Sequence, residues 1–138
     1  MSFGKSRFNK NYEYELLRFS NKLNSFVAGG AQKLFKHSLE IIKPNSLISY
    51  CDVRFSSINP EETVYPKLGF EYISYSKPSY KYIDPETNRL YSRMQFQKHK
   101  LETKLKDFDA SLSETENMFN NGYIKQYDCG NFVFSMRL

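Results

Sequence analysis

The sequence predicts an α/β (α+β) domain built on a mixed β-sheet, and three observations support this prediction. Strand-like and helix-like segments alternate over residues 12–83, an order typical of helices packed on a sheet. The chain has 138 residues, of which 40% are hydrophobic, enough for an ordinary core. After residue 106, a capped helix and two strand-like runs predict a C-terminal helix plus a β-hairpin. We therefore expect a core at residues 1–106 and a helix–hairpin extension of the same domain at 107–138.

Local patterns place the elements of this core. The run YEYELLRF has the composition of a strand, and apolar residues at helical spacing predict a helix that begins at Ala31 and ends before Pro44. Asn59 followed by Pro60 and two glutamates is typical of a helix start. The predicted strands are residues 12–19, 46–53, 70–75 and 80–83, and the predicted helices are residues 31–43 and 60–67.

The C-terminal half of the chain has two further helical patterns. Four apolar residues can share one stripe of residues 89–106, which predicts a basic helix. Ser113 and Glu116 have the spacing of a capping box at the start of another helix. Gly and Asn in the turn DCGN favour a hairpin between YIKQY and FVFSM. The apolar stripe consists of Leu90, Met94, Leu101 and Leu105.

Charge favours an anionic partner. The chain carries 20 Lys and Arg against 15 Asp and Glu, a net charge of +5. Residues 89–106 hold six of the cations and one acid, Glu102, and nearby tyrosines could stack on bases. A solvated helix face is the alternative interpretation. The candidate nucleic-acid-binding residues are Arg89, Arg93, Lys98, Lys100, Lys104 and Lys106, with Arg54 and Lys81 as weaker candidates.

The sequence offers no clear metal or nucleophilic site. His37 and His99 have no ligand four residues further on, so we expect no metal ion. Asp52, next to Arg54 at a predicted strand end, is the best single carboxylate, and a surface ion pair is its favoured interpretation.

The remaining composition bears on cellular location. The two cysteines, Cys51 and Cys129, lie far apart without a zinc pattern, so we expect reduced thiols in an intracellular protein. No apolar run approaches the roughly 20 residues of a membrane span. The first residues lack the apolar region of a signal peptide. We therefore expect no membrane partner.

The stretch FVAGGAQKLFKH raises a separate question, because two glycines precede the predicted helix at Ala31. A helix N-terminus attracts anions, so this turn could hold a backbone phosphate or a cofactor pyrophosphate. It could also serve only helix entry and close packing of the helix on a strand. These interpretations remain open from the sequence.

The order of segments over residues 12–83 resembles the second half of the GNAT superfamily of N-acetyltransferases. That superfamily has an Arg/Gln-x-x-Gly-x-Gly/Ala signature before a helix; Gly29 and Ala31 match it, whereas Phe26 replaces the leading residue. The superfamily's Leu-Tyr-x-Lys-Leu-Gly-Phe ending is similar to YPKLGF at residues 65–70. The resemblance implies a mixed sheet that lacks the first strands of the full fold.

The same resemblance implies candidate residues for an acetyl-CoA-dependent reaction. Gly29, Gly30 and Ala31 would hold the pyrophosphate of the cofactor, and Tyr65 would be the general acid. Glu15 on the first predicted strand is the nominated base, with Glu13 as an alternative.

A second resemblance covers nearly the whole chain. The runs YELLRFSNKLN, VAGGAQKLFKH, SLISYCDVRFS, YPKLGF, KPSYKYI, RMQFQKHKL and SETENMFNNGYIKQYDCGN are similar to a domain at the C-terminal end of phage homing endonucleases. There the domain follows a nuclease module of the very-short-patch-repair type or of a GIY-YIG type. Because this chain begins inside the similar region, we expect the nuclease module to be absent.

These observations give three hypotheses. The leading one is an accessory, non-catalytic DNA-binding domain of phage origin, without a cofactor, in the cytoplasm of the infected bacterium. The alternative is an N-acyltransferase that uses acetyl-CoA. The third is a protein–protein interaction module, through self-association or a nuclease partner.

Overall fold

A computed structural model describes all residues from 1 to 138 and confirms the mixed α/β class. The chain forms two compact units: unit 1 comprises residues 1–77 and 130–138, and unit 2 comprises residues 78–129. The strands are β1 (Ser2–Lys5), β2 (Tyr14–Arg18), β3 (Ser46–Asp52), β4 (Glu71–Ser76), β5 (Tyr80–Ile83), β6 (Leu90–Ser92), β7 (Ile124–Tyr127) and β8 (Asn131–Arg137). The α-helices are α1 (Gly30–Ile42), α2 (Val64–Lys67) and α3 (Glu114–Asn120).

Unit 1 is a five-stranded mixed sheet with the order β1-β2-β3-β8-β4. Strands β2 and β3 are parallel and α1 connects them, because a parallel pair needs a long crossover. Strand β8 lies antiparallel between β3 and β4, although it follows β4 by more than 50 residues in sequence. The last strand therefore occupies the interior of the sheet.

The core of unit 1 lies on the face of the sheet that packs against α1. Phe35 is the buried residue of α1, and its ring lies 5.5 Å from that of Phe70. Phe134 on β8 is fully buried, and its ring stacks on that of Tyr65 at 4.8 Å. The buried members of this cluster are Leu16, Phe35, Leu47, Leu68, Phe70, Phe132 and Phe134.

Strand β1 is an element that the sequence pattern did not predict. It pairs antiparallel with β2 from Ser2 to Lys5, so the sheet has a strand before Tyr12. The run SFGK is too short, and its Gly too weak a strand former, for periodicity to identify it.

Unit 2 is a three-stranded antiparallel sheet with the order β6-β5-β7, joined to α3. The capping box predicted at the start of α3 is confirmed: the Ser113 hydroxyl accepts a hydrogen bond from the Glu116 backbone N–H, and the Glu116 carboxylate accepts one from the Ser113 backbone N–H. The buried core of this unit consists of Tyr82, Phe96, Leu101, Leu105 and Met118.

The prediction of a helix at residues 89–106 was wrong. The segment instead forms β6 and then two 3-10 turns, at Arg93–Phe96 and Lys98–Lys100. The proposed apolar stripe is not one face, because Leu90 and Met94 are exposed while Leu101 and Leu105 are buried. Pairing of Leu90 with Ile83 on β5 overrides the local helical spacing.

The predicted C-terminal hairpin was also wrong. Strand β7 pairs with β5 in unit 2, whereas β8 pairs with β3 and β4 in unit 1. The turn DCGN therefore connects two sheets, and Gly130 within it has a φ of 73°. The compact units divide at Lys77–Pro78 and at Cys129–Gly130.

None of the helices has both the length and the apolar character required for a membrane span.

Candidate nucleic-acid interface

The six basic candidates of residues 89–106 all lie in unit 2, and their surroundings are less basic than the sequence segment suggests. Unit 2 contains eight Lys and Arg and also eight Asp and Glu. Unit 1 contains 12 Lys and Arg against 7 Asp and Glu, so it carries the whole net charge of +5. Seven of the eight acids of unit 2 lie outside residues 89–106: Asp84, Glu86, Asp107, Asp109, Glu114, Glu116 and Asp128.

Three of the six candidates have acidic neighbours. The Lys106 ammonium donates a hydrogen bond of 2.5 Å to Glu86, and this bond raises the pKa of Lys106. Arg89 contributes to the lowered pKa of Asp84, behind hydrogen bonds from the backbone of Glu86 and Thr87. Lys98 lies close enough to Asp109 to lower the pKa of that carboxyl, although the hydrogen bonds from Ser111 are the larger cause. These acidic neighbours partly offset the positive charges of Lys106, Arg89 and Lys98.

Two of the other three candidates, Arg93 and Lys104, contact a row of aromatic rings. The row runs from Tyr127 to Tyr80 at 5.5 Å, from Tyr80 to Tyr82 at 5.4 Å, and from Tyr82 to Phe96 at 5.7 Å. Tyr127 is 60% exposed, whereas Tyr82 and Phe96 are buried. We call Tyr127, Tyr80, Tyr82 and Phe96 the aromatic row.

Cationic side chains contact this row at several points. The Arg93 guanidinium lies 5.3 Å from the centre of the Tyr80 ring, and the Lys104 ammonium lies 5.4 Å from that of Phe96. The Lys100 ammonium donates a hydrogen bond of 3.2 Å to the carbonyl of Met94, next to Arg93. Rings and cations thus share one part of unit 2, where stacking and phosphate contacts can combine.

Lys125 joins the same cluster, and the sequence reasoning missed it. Its ammonium lies 4.2 Å from the Tyr80 ring centre and donates a hydrogen bond to Thr115. The signal was available in YIKQY: Lys125 pairs across the sheet with Tyr82, and Tyr127 pairs with Tyr80. Identifying it required the correct partner strand, which the predicted hairpin did not provide.

Tyr82 anchors the row from inside unit 2. Burial raises the pKa of its hydroxyl, and the nearby Glu114 carboxylate raises it further. The Tyr82 hydroxyl donates a hydrogen bond of 3.1 Å to Glu114. The phenol therefore stays protonated across the physiological pH range.

The two weaker candidates do not join this cluster. Lys81 alternates with Tyr80 and Tyr82 along β5, so it lies on the opposite face of the small sheet. Arg54 lies in unit 1, where its guanidinium contacts Asp52 at 2.6 Å. Hydrogen bonds from Arg54 hold the pKa of the Asp52 carboxyl below its usual value, as the predicted ion pair implies.

A cleft of about 500 Å³ lies beside the Gly29–Gly30 turn of unit 1. Gly29 has a φ of 69°, and no side chain caps α1, so the N–H groups of Ala31 and Gln32 have no capping side chain. Gly30 packs closely against Val27, and its N–H donates to the Val27 carbonyl. The lining residues are Phe19, Asn21, Phe26, Val27, Gly29, Gly30, Ala31, Gln32, Glu62, Val64, Lys67 and Leu68.

The parallel strands β2 and β3 pair over only a short stretch. Only Tyr14–Leu47 and Glu15–Ile48 pair directly, and beyond them the Ser49 hydroxyl donates a hydrogen bond of 2.8 Å to the Leu16 carbonyl. A side chain thus replaces the backbone ladder where the strands diverge.

Tyr65 packs against the core of unit 1. Its ring packs among Phe70 and Phe134, and burial raises the pKa of its hydroxyl while a hydrogen bond with Ser49 lowers it.

Glu15 does not approach Tyr65. Its neighbour Leu16 belongs to the core that Tyr65 contacts, so Glu15 points to the other face of the sheet. There it is buried and accepts three hydrogen bonds from Arg7, the shortest being 2.6 Å. The nominated acid and base of an acyltransferase therefore lie on opposite faces of the sheet.

The thiols and potential metal ligands are dispersed. Neither Cys51 nor Cys129 is in a disulfide, and burial raises the pKa of the Cys51 thiol. No group of three or more His, Cys, Asp and Glu side chains is placed to hold a metal ion.

Comparison with known proteins found no matching family model, no matching curated protein and no matching solved structure.

Proposed function

We propose that the chain is an accessory nucleic-acid-binding domain whose unit 2 contacts DNA through the aromatic row and its cations. One observation carries the proposal: Arg93, Lys104 and Lys125 lie against rings of the row, and Tyr127 at its end is exposed. The cations can pair with phosphates, and the exposed Tyr127 ring can stack on a base. The resemblance to a domain of phage homing endonucleases supports DNA as the nucleic acid.

Fluorescence anisotropy with labelled DNA over a salt series tests this proposal. We expect binding at low salt that weakens steeply as salt increases, because the cations displace counterions from phosphates. The variant R93A/K100A/K104A removes Arg93 and Lys104, which contact the row, together with Lys100 beside them. It should bind at least about tenfold more weakly and show a salt slope smaller by about three, because each lost phosphate contact lowers the slope by about 0.9.

A matched control removes the same charge elsewhere. The variant K10A/K43A/K77A deletes three exposed lysines of unit 1, none of them in residues 18–36 or in the loop after β3. If both triple variants lose affinity equally, net charge rather than the row accounts for binding. No DNA binding at low salt would contradict the proposed function.

The cleft beside Gly29 favours acetyl-CoA binding as a second candidate function. The α1 N-terminus without a side-chain cap and the glycine turn line a cleft in which a pyrophosphate could meet backbone N–H groups. The resemblance to GNAT acetyltransferases supports the same placement. Glu15 is paired with Arg7, and Tyr65 packs in the core. The second candidate function is therefore ligand binding without the nominated acid–base pair.

Isothermal calorimetry with coenzyme A tests this second candidate. A heat of binding that is lost in Gly30→Val would support it, because a larger side chain at Gly30 would press on Val27 at the cleft wall. The control is Gly122→Ala in unit 2, which leaves the cleft unchanged. Absence of heat at millimolar coenzyme A would exclude this function.

A further inference from the structure

We propose that unit 1 carries a second contact surface, which binds unpaired bases of single-stranded nucleic acid. This inference rests on the proposed function, and it names another surface and the form of nucleic acid that the surface takes. The surface, called the loop patch, combines large apolar side chains from the loops that follow β2 and β3. Its members are Leu23, Phe26, Val27, Phe55 and Ile58.

Topology brings the two loops to one end of the sheet. Strands β2 and β3 are parallel neighbours, so their C-terminal ends point the same way. The loop after β2 spans residues 19–29, and the loop after β3 contains a 3-10 turn at Val53–Phe55. Side chains about 30 residues apart in sequence therefore come from loops at the same end of the unit 1 sheet.

The members of the loop patch are unusually open to solvent. Phe26 and Phe55 are each 84% exposed, and Ile58 is 88% exposed. Burying two phenylalanine rings would stabilise unit 1, yet the fold leaves them outside its core. Large apolar side chains that share one exposed region mark an interaction surface.

The charge around the loop patch selects a polyanionic partner. Residues 18–36 contain four cations, Arg18, Lys22, Lys33 and Lys36, and no acid. Residues 52–63 add Arg54 and three acids, so the two segments together have a net charge of +2. The Arg54 guanidinium lies 5.1 Å from the Phe55 ring centre, and its contact with Asp52 offsets part of its charge. Unit 1 also carries the entire net charge of the chain.

Exposed phenyl rings among cations fit a single strand better than a duplex. Bases in a duplex are stacked on one another and present only their edges, whereas unpaired bases can stack on a phenyl ring. Phe26 and Phe55 can each accept one base, and the neighbouring cations can pair with the phosphates between them. An apolar protein partner would use the same side chains but would not need rings.

Anisotropy with a labelled oligodeoxythymidine and with a duplex of equal length tests the inference. In F26A/F55A we expect the affinity for the single strand to fall at least about tenfold and the affinity for the duplex to change less than about twofold. F26L/F55L keeps apolar bulk without rings and should lose the same single-strand affinity. F119A removes an equally exposed ring of unit 2 and should change neither affinity.

The outcomes separate this inference from the proposed function. Wild-type binding to the duplex without binding to the single strand, or single-strand binding unaffected in F26A/F55A, overturns the inference and leaves the proposed function standing. If F26L/F55L binds the single strand with wild-type affinity, apolar contact rather than base stacking accounts for binding, and the inference is also overturned. Absence of binding to either nucleic acid overturns both. Circular dichroism verifies that each variant is folded.

Discussion

Glu15 is the buried acidic side chain of unit 1, and only 1% of it is exposed. Arg7 donates three hydrogen bonds to its carboxylate. A buried carboxylate without partners is costly, so we expect Arg7→Ala to lower the free energy of unfolding by about 1–3 kcal/mol in urea titrations. The Arg7 side chain is itself 59% exposed, which keeps the effect below that of a fully buried pair.

Arg54→Ala is the matched control for Arg7→Ala. Arg54 also holds a carboxylate through several bonds, but both Arg54 and Asp52 are partly exposed. Exposed ion pairs stabilise proteins little, so we expect a loss below about 1 kcal/mol. Equal losses for the two substitutions would contradict the role that we assign to the burial of Glu15.

The pair of Arg54 with Asp52 also predicts a pH dependence. Arg54 lowers the pKa of Asp52 in the folded state, so the pair stabilises the protein above the unfolded pKa of about 4. This contribution is lost as the pH falls through the lower, folded pKa. The stability difference between wild type and Arg54→Ala should therefore shrink between pH 6 and the acid limit of folding, as measured by denaturation at several pH values. A difference that stays constant over this range would contradict the assignment.

At the scale of elements, the capping box of α3 offers a direct test. Ser113→Ala removes the hydroxyl that accepts from the Glu116 N–H, and we expect a loss of about 1 kcal/mol. Glu116→Gln keeps an acceptor for the Ser113 N–H and should cost less. Thermal unfolding followed by circular dichroism measures both, and equal melting temperatures for wild type and Ser113→Ala would refute the cap.

Two glycines with similar backbone conformations should respond differently to substitution. Gly29 and Gly130 have φ values of 69° and 73°, which alanine adopts at a cost of about 1 kcal/mol. A methyl group at Gly29 meets open space, whereas at Gly130 it overlaps the Ser76 carbonyl and the Tyr75 ring. In urea titrations, Gly130→Ala should cost about 1–3 kcal/mol more than Gly29→Ala. Similar losses would show that the turn at Gly130 can move.

Elements with local signals could be predicted from the sequence. Strand β5 has the predicted bounds, and α3 begins where Ser113 and Glu116 indicated. Strand partners could not be predicted, because β7 and β8 are separated by three residues yet belong to different sheets. Lys125 could not be predicted as part of the candidate site for the same reason: it contacts Tyr80 only through the pairing of β7 with β5.

At the scale of the whole molecule, the interior position of β8 makes unit 1 depend on two distant parts of the chain. Phe134 on β8 is fully buried against Tyr65 and Tyr72. Phe134→Ala should lower the free energy of unfolding by about 3–5 kcal/mol, because it leaves a cavity in this core. Val133→Ala, on the other face of the same strand, should cost less. Urea titration compares the two, and equal losses would contradict this assignment of the core.

The sheet order also sets a sequence of events during synthesis. Unit 2 is one continuous stretch that leaves the ribosome before residues 131–137 do. Until those residues emerge, β3 and β4 each expose an unsatisfied row of backbone groups where β8 will later insert. Unit 1 therefore stays incomplete until its last strand pairs, whereas unit 2 is complete within one continuous segment.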